Sequence, residues 1–378
     1  MTDSLLSFEE IRPYYDHEVP AVLQRFIEKP SFFLMMGVLF PELKQEDIIK
    51  DLQQIKTVEE FQAGYIHETI VRIVGMSCQE LTISGLDKLN KGDSYLFLSN
   101  HRDIILDSAF LNVKLHEEGF GTSRIAIGDN LMVSNLITDL MKINKSFIVH
   151  RSVPRQELMA HSERLSKYIR FSIHEEHSSV WLAQRSGRTK DGLDLTSPAI
   201  LKMLNIANGE DMVQGFKGLN IVPMSISYEY EPCDSLKVEE RYHKLKDLPY
   251  EKDDKVAMVT GIRAPKGRVH LALGEPMKES IAALPAEKRK NDWLKNLGEL
   301  IDQQIHALYN LWPTNYIASD LLSGSNEHES KYTADEKQSF LTIMEERLAD
   351  IKGEAEALRQ LYLEMYAAMV GAKLAPAG

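Results

Sequence analysis

The stretch Tyr95-Leu96-Phe97-Leu98-Ser99-Asn100-His101-Arg102-Asp103-Ile104-Ile105-Leu106-Asp107 decides how the rest of the chain is read. Tyr95 to Leu98 is a short apolar run of buried-strand type, and a helical pattern over Ile104–Glu118 begins just after Asn100-His101. Runs of the same kind recur at Ile125-Ala126-Ile127, Ser146–Val149, Val180–Ala183, Ile221–Ile226 and Val269–Leu273. Leu81-Thr82-Ile83-Ser84 alternates as a half-buried strand does, and Gly92-Asp93 makes a turn. Helix-length stretches, including Leu131–Asn144 and Arg155–His174, separate the runs. Strands alternating with helices predict an α/β fold whose largely parallel central sheet is flanked by helices.

Outside this region the periodicity is helical. Val19, Val22, Leu23 and Phe26, then Ile48, Ile49, Leu52 and Ile55, predict an N-terminal helical region over 1–80. The α/β domain is expected over 81–280 and a C-terminal helical extension over 281–378, with a linker in the polar stretch 319–332. Thr333-Ala334-Asp335-Glu336 offers a capping box for a last helical segment running to about Val370.

Hydrophobic residues make up 43% of the 378 and charged residues 26%, which excludes wholesale disorder and fibrous classes. Two distant cysteines, Cys78 and Cys233, exclude a disulfide scaffold and a thiolate zinc site, and a reducing, cytoplasmic compartment is expected. The start, MTDSLLSFEEIRPYYD, turns acidic at once and does not read as a signal peptide. A net charge of −12 argues against a general nucleic-acid binder. The charge is uneven, however. Lys145 to Lys190 holds nine Lys/Arg against four Asp/Glu, so this stretch is +5 and the remainder −17, which suits a small anionic ligand. No window reaches the ~18 apolar residues of a membrane span. The most apolar run, Phe32 to Phe40 (FFLMMGVLF), would be about 13 Å long as a helix. It could seat the chain on a membrane surface or be buried in the core.

In open α/β sheets ligands bind outside the carboxyl ends of the strands, which is where His101 stands. If the chain folds back at the helix start, Asp107 can reach one imidazole nitrogen, fixing the tautomer and freeing the other as a general base. A structural histidine beside a capping aspartate is the plainer alternative. No GxSxG elbow occurs, so a nucleophile activated by this histidine would be a substrate hydroxyl.

Asn100-His101 with the later Asp107 resembles the NHxxxxD signature of the glycerolipid acyltransferases, which move fatty acyl groups from thioesters to glycerol-phosphate acceptors. Five residues separate His101 from Asp107 where the family has four, so Asp107 and Asp103 are both candidates for the orienting carboxylate. Three further blocks follow in order. Ser146 to Ser152 (SFIVHRS) is similar to the block whose Arg, here Arg151, holds the acceptor phosphate. Trp181 to Gly192 (WLAQRSGRTKDG) is similar to the third, with Ser186 where many members have Glu. Its Arg185, Gly187, Arg188 and Lys190 would form a cationic turn after a strand. Ile221 to Glu229 (IVPMSISYE) is similar to the fourth, with Pro223 lining a substrate pocket. The resemblance covers the central half to two-thirds of the chain.

It implies His101 and Asp107 as the catalytic pair, with Asn100, Arg151, Arg185, Ser186, Gly187, Arg188, Lys190 and Pro223 as substrate-binding residues. It also implies an acyl-CoA or acyl carrier protein thioester donor and a glycerol-3-phosphate or 1-acylglycerol-3-phosphate acceptor; the apolar run Phe32–Phe40 adds a candidate peripheral membrane seat, and no metal or nucleotide cofactor is expected. The alternative is a catalytically inactive lipid-binding or membrane-adaptor protein of the same fold. Other motifs fail on spacing. His174 and His177 stand i,i+3, not i,i+4, so no zinc helix is expected; Gly119-Phe120-Gly121 lacks a third glycine and precedes its strand.

Overall fold

A computed structural model of the chain describes residues 8–151 and 153–375. Ser152, residues 1–7 of the start that does not read as a signal peptide, and the last three residues of the C-terminal extension lie outside the described residues.

Seven strands form one sheet: β1 (Cys78–Ser84), β2 (Leu96–Ser99), β3 (Arg124–Gly128), β4 (Ser146–Val149), β5 (Val180–Ala183), β6 (Ile221–Tyr228) and β7 (Gly267–Leu273). Their order is β1-β7-β6-β2-β5-β3-β4. All neighbours are parallel except β6 and β7, so β1 and β7 run against the other five. Every residue of β2 and β6 is buried, as continuous apolar runs in a doubly covered sheet require, whereas the alternating β1 lies at an edge. The fold is α/β, as the strand–helix alternation predicts.

Period-2 alternation deals the strand side chains to two cores. Leu96, Leu98, Val180, Leu182 and Ile221 face helices Leu158–His174 and Lys290–Ala307. Tyr95, Phe97, Trp181, Val222 and Met224 face helices His67–Ser77 and Leu106–Glu117. A third core joins the N-terminal helices to Ile143, and a fourth joins Val238 and Tyr242 to the C-terminal helices.

Three details differ from expectation. The supposed linker at 319–332 begins as the last turns of helix Pro313–Ser323. Its polar residues serve buried Asp320, whose carboxylate accepts from the His328 N–H (3.1 Å) and the Tyr332 hydroxyl (2.8 Å). The last helical segment is two helices, Ala334–Leu348 and Ala355–Leu374, the first opened by the Thr333–Glu336 capping box. Within the N-terminal region, helix Val58–Phe61 passes through a π turn, Gln62–Ile66, into His67–Ser77.

A buried ionic network braces the carboxyl ends of β2, β5 and β6. Arg102 pairs with Asp194 and, at 3.4 Å, with Glu231; Lys237 pairs with Glu231 at 2.5 Å. Asp194 also accepts from Thr189 (2.5 Å), Tyr309 (2.7 Å) and Asn100 (3.2 Å). Burial opposes ionisation of Asp194, but Arg102 and these donors outweigh it and hold the carboxyl below its ordinary range. Asp194→Ala would strand Arg102 as a poorly compensated buried charge. Urea unfolding should show a loss of about 3–5 kcal/mol, and a loss within error of zero would refute the bracing role. Because the folded value is lowered, wild-type stabilisation from Asp194 is full above about pH 4 and is lost as pH falls through the lowered value.

Candidate active site

The parallel strands β2, β3, β4, β5 and β6 deliver their carboxyl ends to one edge of the sheet. Asn100 fixes where the chain leaves β2. Its amide accepts from the Ile226 N–H (2.8 Å) and donates to the Ile226 carbonyl (3.1 Å), stapling the end of β2 to β6. His101 follows at once, its side chain 11% exposed.

The next turn folds the chain back. Asp103 Oδ1 accepts from the N–H groups of Ile105 (2.9 Å) and Leu106 (2.8 Å), capping the helix that starts at Leu106. The helix's second residue, Asp107, then reaches back to His101 Nδ1 with Oδ2 at 2.8 Å. Asp107, not Asp103, orients the ring. Oδ2 also accepts from the N–H groups of Arg102 (2.7 Å) and Asp103 (3.0 Å), while Oδ1 accepts from the Tyr228 hydroxyl (2.8 Å). With Nδ1 committed to the carboxylate, Nε2 of His101 has no hydrogen-bond partner among the described residues. Trp181 crosses the imidazole edge-on, ring centroids 5.5 Å apart, and its own buried indole N–H is unpartnered.

Burial, then the neighbouring Asp107 charge, pushes the Asp103 carboxyl up. Its free Oδ2 abuts Gly261, where a Cβ would lie 2.1 Å away. Burial, then Asp107 and Asp103, holds the Tyr228 phenol well above its usual range.

His101 lines a cavity of about 510 Å³, a size ordinary for small-molecule sites. Much of its wall is apolar, with Phe32, Met36, Phe61 and Tyr65 from the N-terminal helices and Ile125 and Ile127 of β3. The run Phe32–Phe40 is divided between three surroundings. Phe32, Met36 and Phe40 enter the core, Met35 and Leu39 line the cavity, and Leu34 and Val38 are 74% and 73% exposed.

The lining also carries charge, with Arg151, Arg188, Lys252 and Arg263 against one carboxylate, Asp254. Arg188, 9% exposed, lines the cavity with Nη1 buried and unpartnered, and no carboxylate among the described residues pairs with it. Gly187, at φ +76°, makes the left-handed turn that brings it there. Arg151 crosses over Gly128, where a Cβ would meet its Nε at 2.4 Å. Arg263, on helix Asp254–Arg263, also lines the cavity.

Of the residues expected at a site, His101, Asp107, Arg151, Gly187 and Arg188 are thus brought together. Five others do not line the cavity. Asn100 is buried with its amide consumed by Ile226 and Asp194. Lys190 is neutralised by Glu240. Arg185 points to the Leu193 carbonyl (3.5 Å), and Ser186 is exposed outside the cavity. Pro223 is buried within β6 with its ring against Gly274. Sequence reasoning gave no role to Trp181 or Tyr228, although both stand in the quoted blocks, and Arg263 carries no sequence signal at all.

No family model matches the chain, and no curated protein matches it in sequence. Among solved structures it is similar to the 1-acyl-sn-glycerophosphate (LPA) acyltransferase PlsC from Thermotoga maritima. The identity is 10% over 74% of this chain and 92% of that one, with a TM-score of 0.36.

Proposed function

We propose that this chain is an O-acyltransferase that moves a fatty acyl group from an acyl-CoA or acyl carrier protein thioester to a hydroxyl of glycerol-3-phosphate or 1-acylglycerol-3-phosphate. The observation that carries the reading is one cavity holding three things: an oriented histidine with a free Nε2, an apolar wall, and a buried guanidinium, that of Arg188, whose Nη1 is unpartnered among the described residues.

Nε2 of His101 takes the proton of the acceptor hydroxyl as its oxygen attacks the thioester carbonyl. Nδ1–H donates to Asp107, whose charge supports the imidazolium as it forms. The tetrahedral intermediate collapses with cleavage of the C–S bond, and the imidazolium returns the proton to the departing sulfur. Arg188 and Arg151 hold the acceptor phosphate, turning a bimolecular encounter into a positioned attack. The acyl chain lies along Phe32, Met36 and Phe61. An inactive adaptor would not need the carboxylate within 2.8 Å of the imidazole, and this contact favours the enzyme.

The membrane seat belongs to the same proposal. Among the described residues no helix is long and apolar enough to cross a membrane. Exposed Val38 and Val259 stand at the cavity, with Leu34 on the same helix as Val38 and Arg263 on the same helix as Val259. This side would rest on the cytoplasmic face of an anionic bilayer, where lysolipid and product reside. Leu34→Glu with Val38→Glu should weaken co-sedimentation with phosphatidylglycerol vesicles at least tenfold; unchanged binding would remove the seat.

Free-thiol release from palmitoyl-CoA and palmitoyl-acyl carrier protein, with each acceptor in turn, tests the reaction. Release should depend on one acceptor and fall by roughly 10²–10⁴ in His101→Ala. Arg188→Met should raise the acceptor KM more than it lowers kcat. Acceptor-dependent release that survives in His101→Ala would sink the mechanism.

A further inference from the structure

Asp107 orients His101, and Asp107 is itself held from behind. Tyr228 closes β6, is buried, and makes one side-chain hydrogen bond among the described residues, from its hydroxyl to Asp107 Oδ1 at 2.8 Å. Among the described residues that hydroxyl is the only donor to Oδ1; the other three reach Oδ2. Packing does not ask for it, since the ring sits in an apolar core with Phe110 6.4 Å away between centroids, where phenylalanine would fit as well.

We propose that Tyr228 is a positioning residue for His101: its hydroxyl fixes the plane of the Asp107 carboxylate and draws charge to Oδ1, moderating the pull of Oδ2 on the imidazolium. Calling His101 the base rests on the acyltransferase reading; the coupling between Tyr228 and His101 does not. Arg151, Arg188, Lys252, Asp254 and Arg263 line the cavity with His101, and further ionisable groups face the pair from behind. Asp103 comes from the turn before the helix, Cys78 from the start of β1, and Arg188 faces Asp103 from the turn after β5. Lys266 faces Cys78 and Asp103. Among the described residues none of these side chains hydrogen-bonds to Asp107 or to the Tyr228 hydroxyl; Asp103 reaches Asp107 through its backbone N–H alone.

The sign follows from the geometry. Without the hydroxyl, Oδ1 is a bare oxygen in a dry site, the carboxylate becomes more basic, and it supports the His101 cation more strongly. His101 should therefore titrate higher in Tyr228→Phe. A stronger donor at the same place should do the reverse, and 3-fluorotyrosine at 228, with its more acidic phenol, supplies one.

The test is an NMR titration of the ¹⁵N-histidine-labelled full chain. Tyr228→Phe should raise the His101 midpoint by roughly half a pH unit or more, and 3-fluorotyrosine should lower it. The acid limb of kcat/KM should move with each midpoint while the acceptor KM stays put. A His101 midpoint unmoved in both variants, with the Nδ1 proton still hydrogen-bonded, would overturn the proposal. Should Tyr228→Phe fail to fold, the fluorotyrosine protein decides alone. A wild-type chain that releases no thiol would end the acyltransferase reading, yet the two midpoints would still judge Tyr228.

Discussion

A single buried carboxylate, that of Asp107, organises the site. Four donors converge on it: the imidazole of His101, two backbone N–H groups and the Tyr228 hydroxyl. A carboxylate out of water is tolerable only when its lone pairs are taken, so the site forms only if each donor arrives. Asn100 stapled to β6 brings the first, the Asp103 cap turns the backbone so that two N–H groups point inward, and β6 brings the last. The orientation of His101 is thus a property of three neighbouring segments, and a change in any of them reaches the imidazole.

The same segments rest on the Arg102–Asp194–Glu231–Lys237 network, which ties the ends of β2, β5 and β6 to Tyr309. The C-terminal helix Ala355–Leu374 meets that region as well: Gly192, two residues before Asp194, lies so close that a Cβ would sit 2.2 Å from the Met365 carbonyl. The helical extension therefore supports the turn that carries Arg188. The N-terminal helices supply much of the cavity's apolar wall. Their π turn, Gln62–Ile66, contributes Tyr65 and Ile66 to that wall, in keeping with the frequency of such turns at functional sites.

The sheet was legible because its signal is local. Runs such as Tyr95–Leu98 and Val180–Ala183 are apolar throughout because both faces are covered, and Leu81–Ser84 alternates because β1 is an edge. The site was legible in part. Spacing places Asp107 within reach of His101 but does not separate it from Asp103; that choice is made by the backbone at the helix start. Nine cations between Lys145 and Lys190 look alike in sequence. Which of them are spent depends on carboxylates that arrive from elsewhere, such as Glu240 on Lys190, and nothing local marks Arg188 as one that is buried at the cavity with Nη1 unpartnered among the described residues. Polar composition misled at 319–332, where the polar groups satisfy a buried aspartate instead of facing solvent.

The central claim is that a fatty acyl thioester lies with its carbonyl at His101 and its chain among the N-terminal helices. Photo-crosslinking measures this most directly, using a palmitoyl-pantetheine thioether that cannot transfer its chain and bears a diazirine at the methyl end. The account predicts labelled peptides from Pro30–Leu39 and from residues 61–73, with labelling suppressed by excess palmitoyl-CoA. Competed labelling confined to other segments of the chain would contradict it.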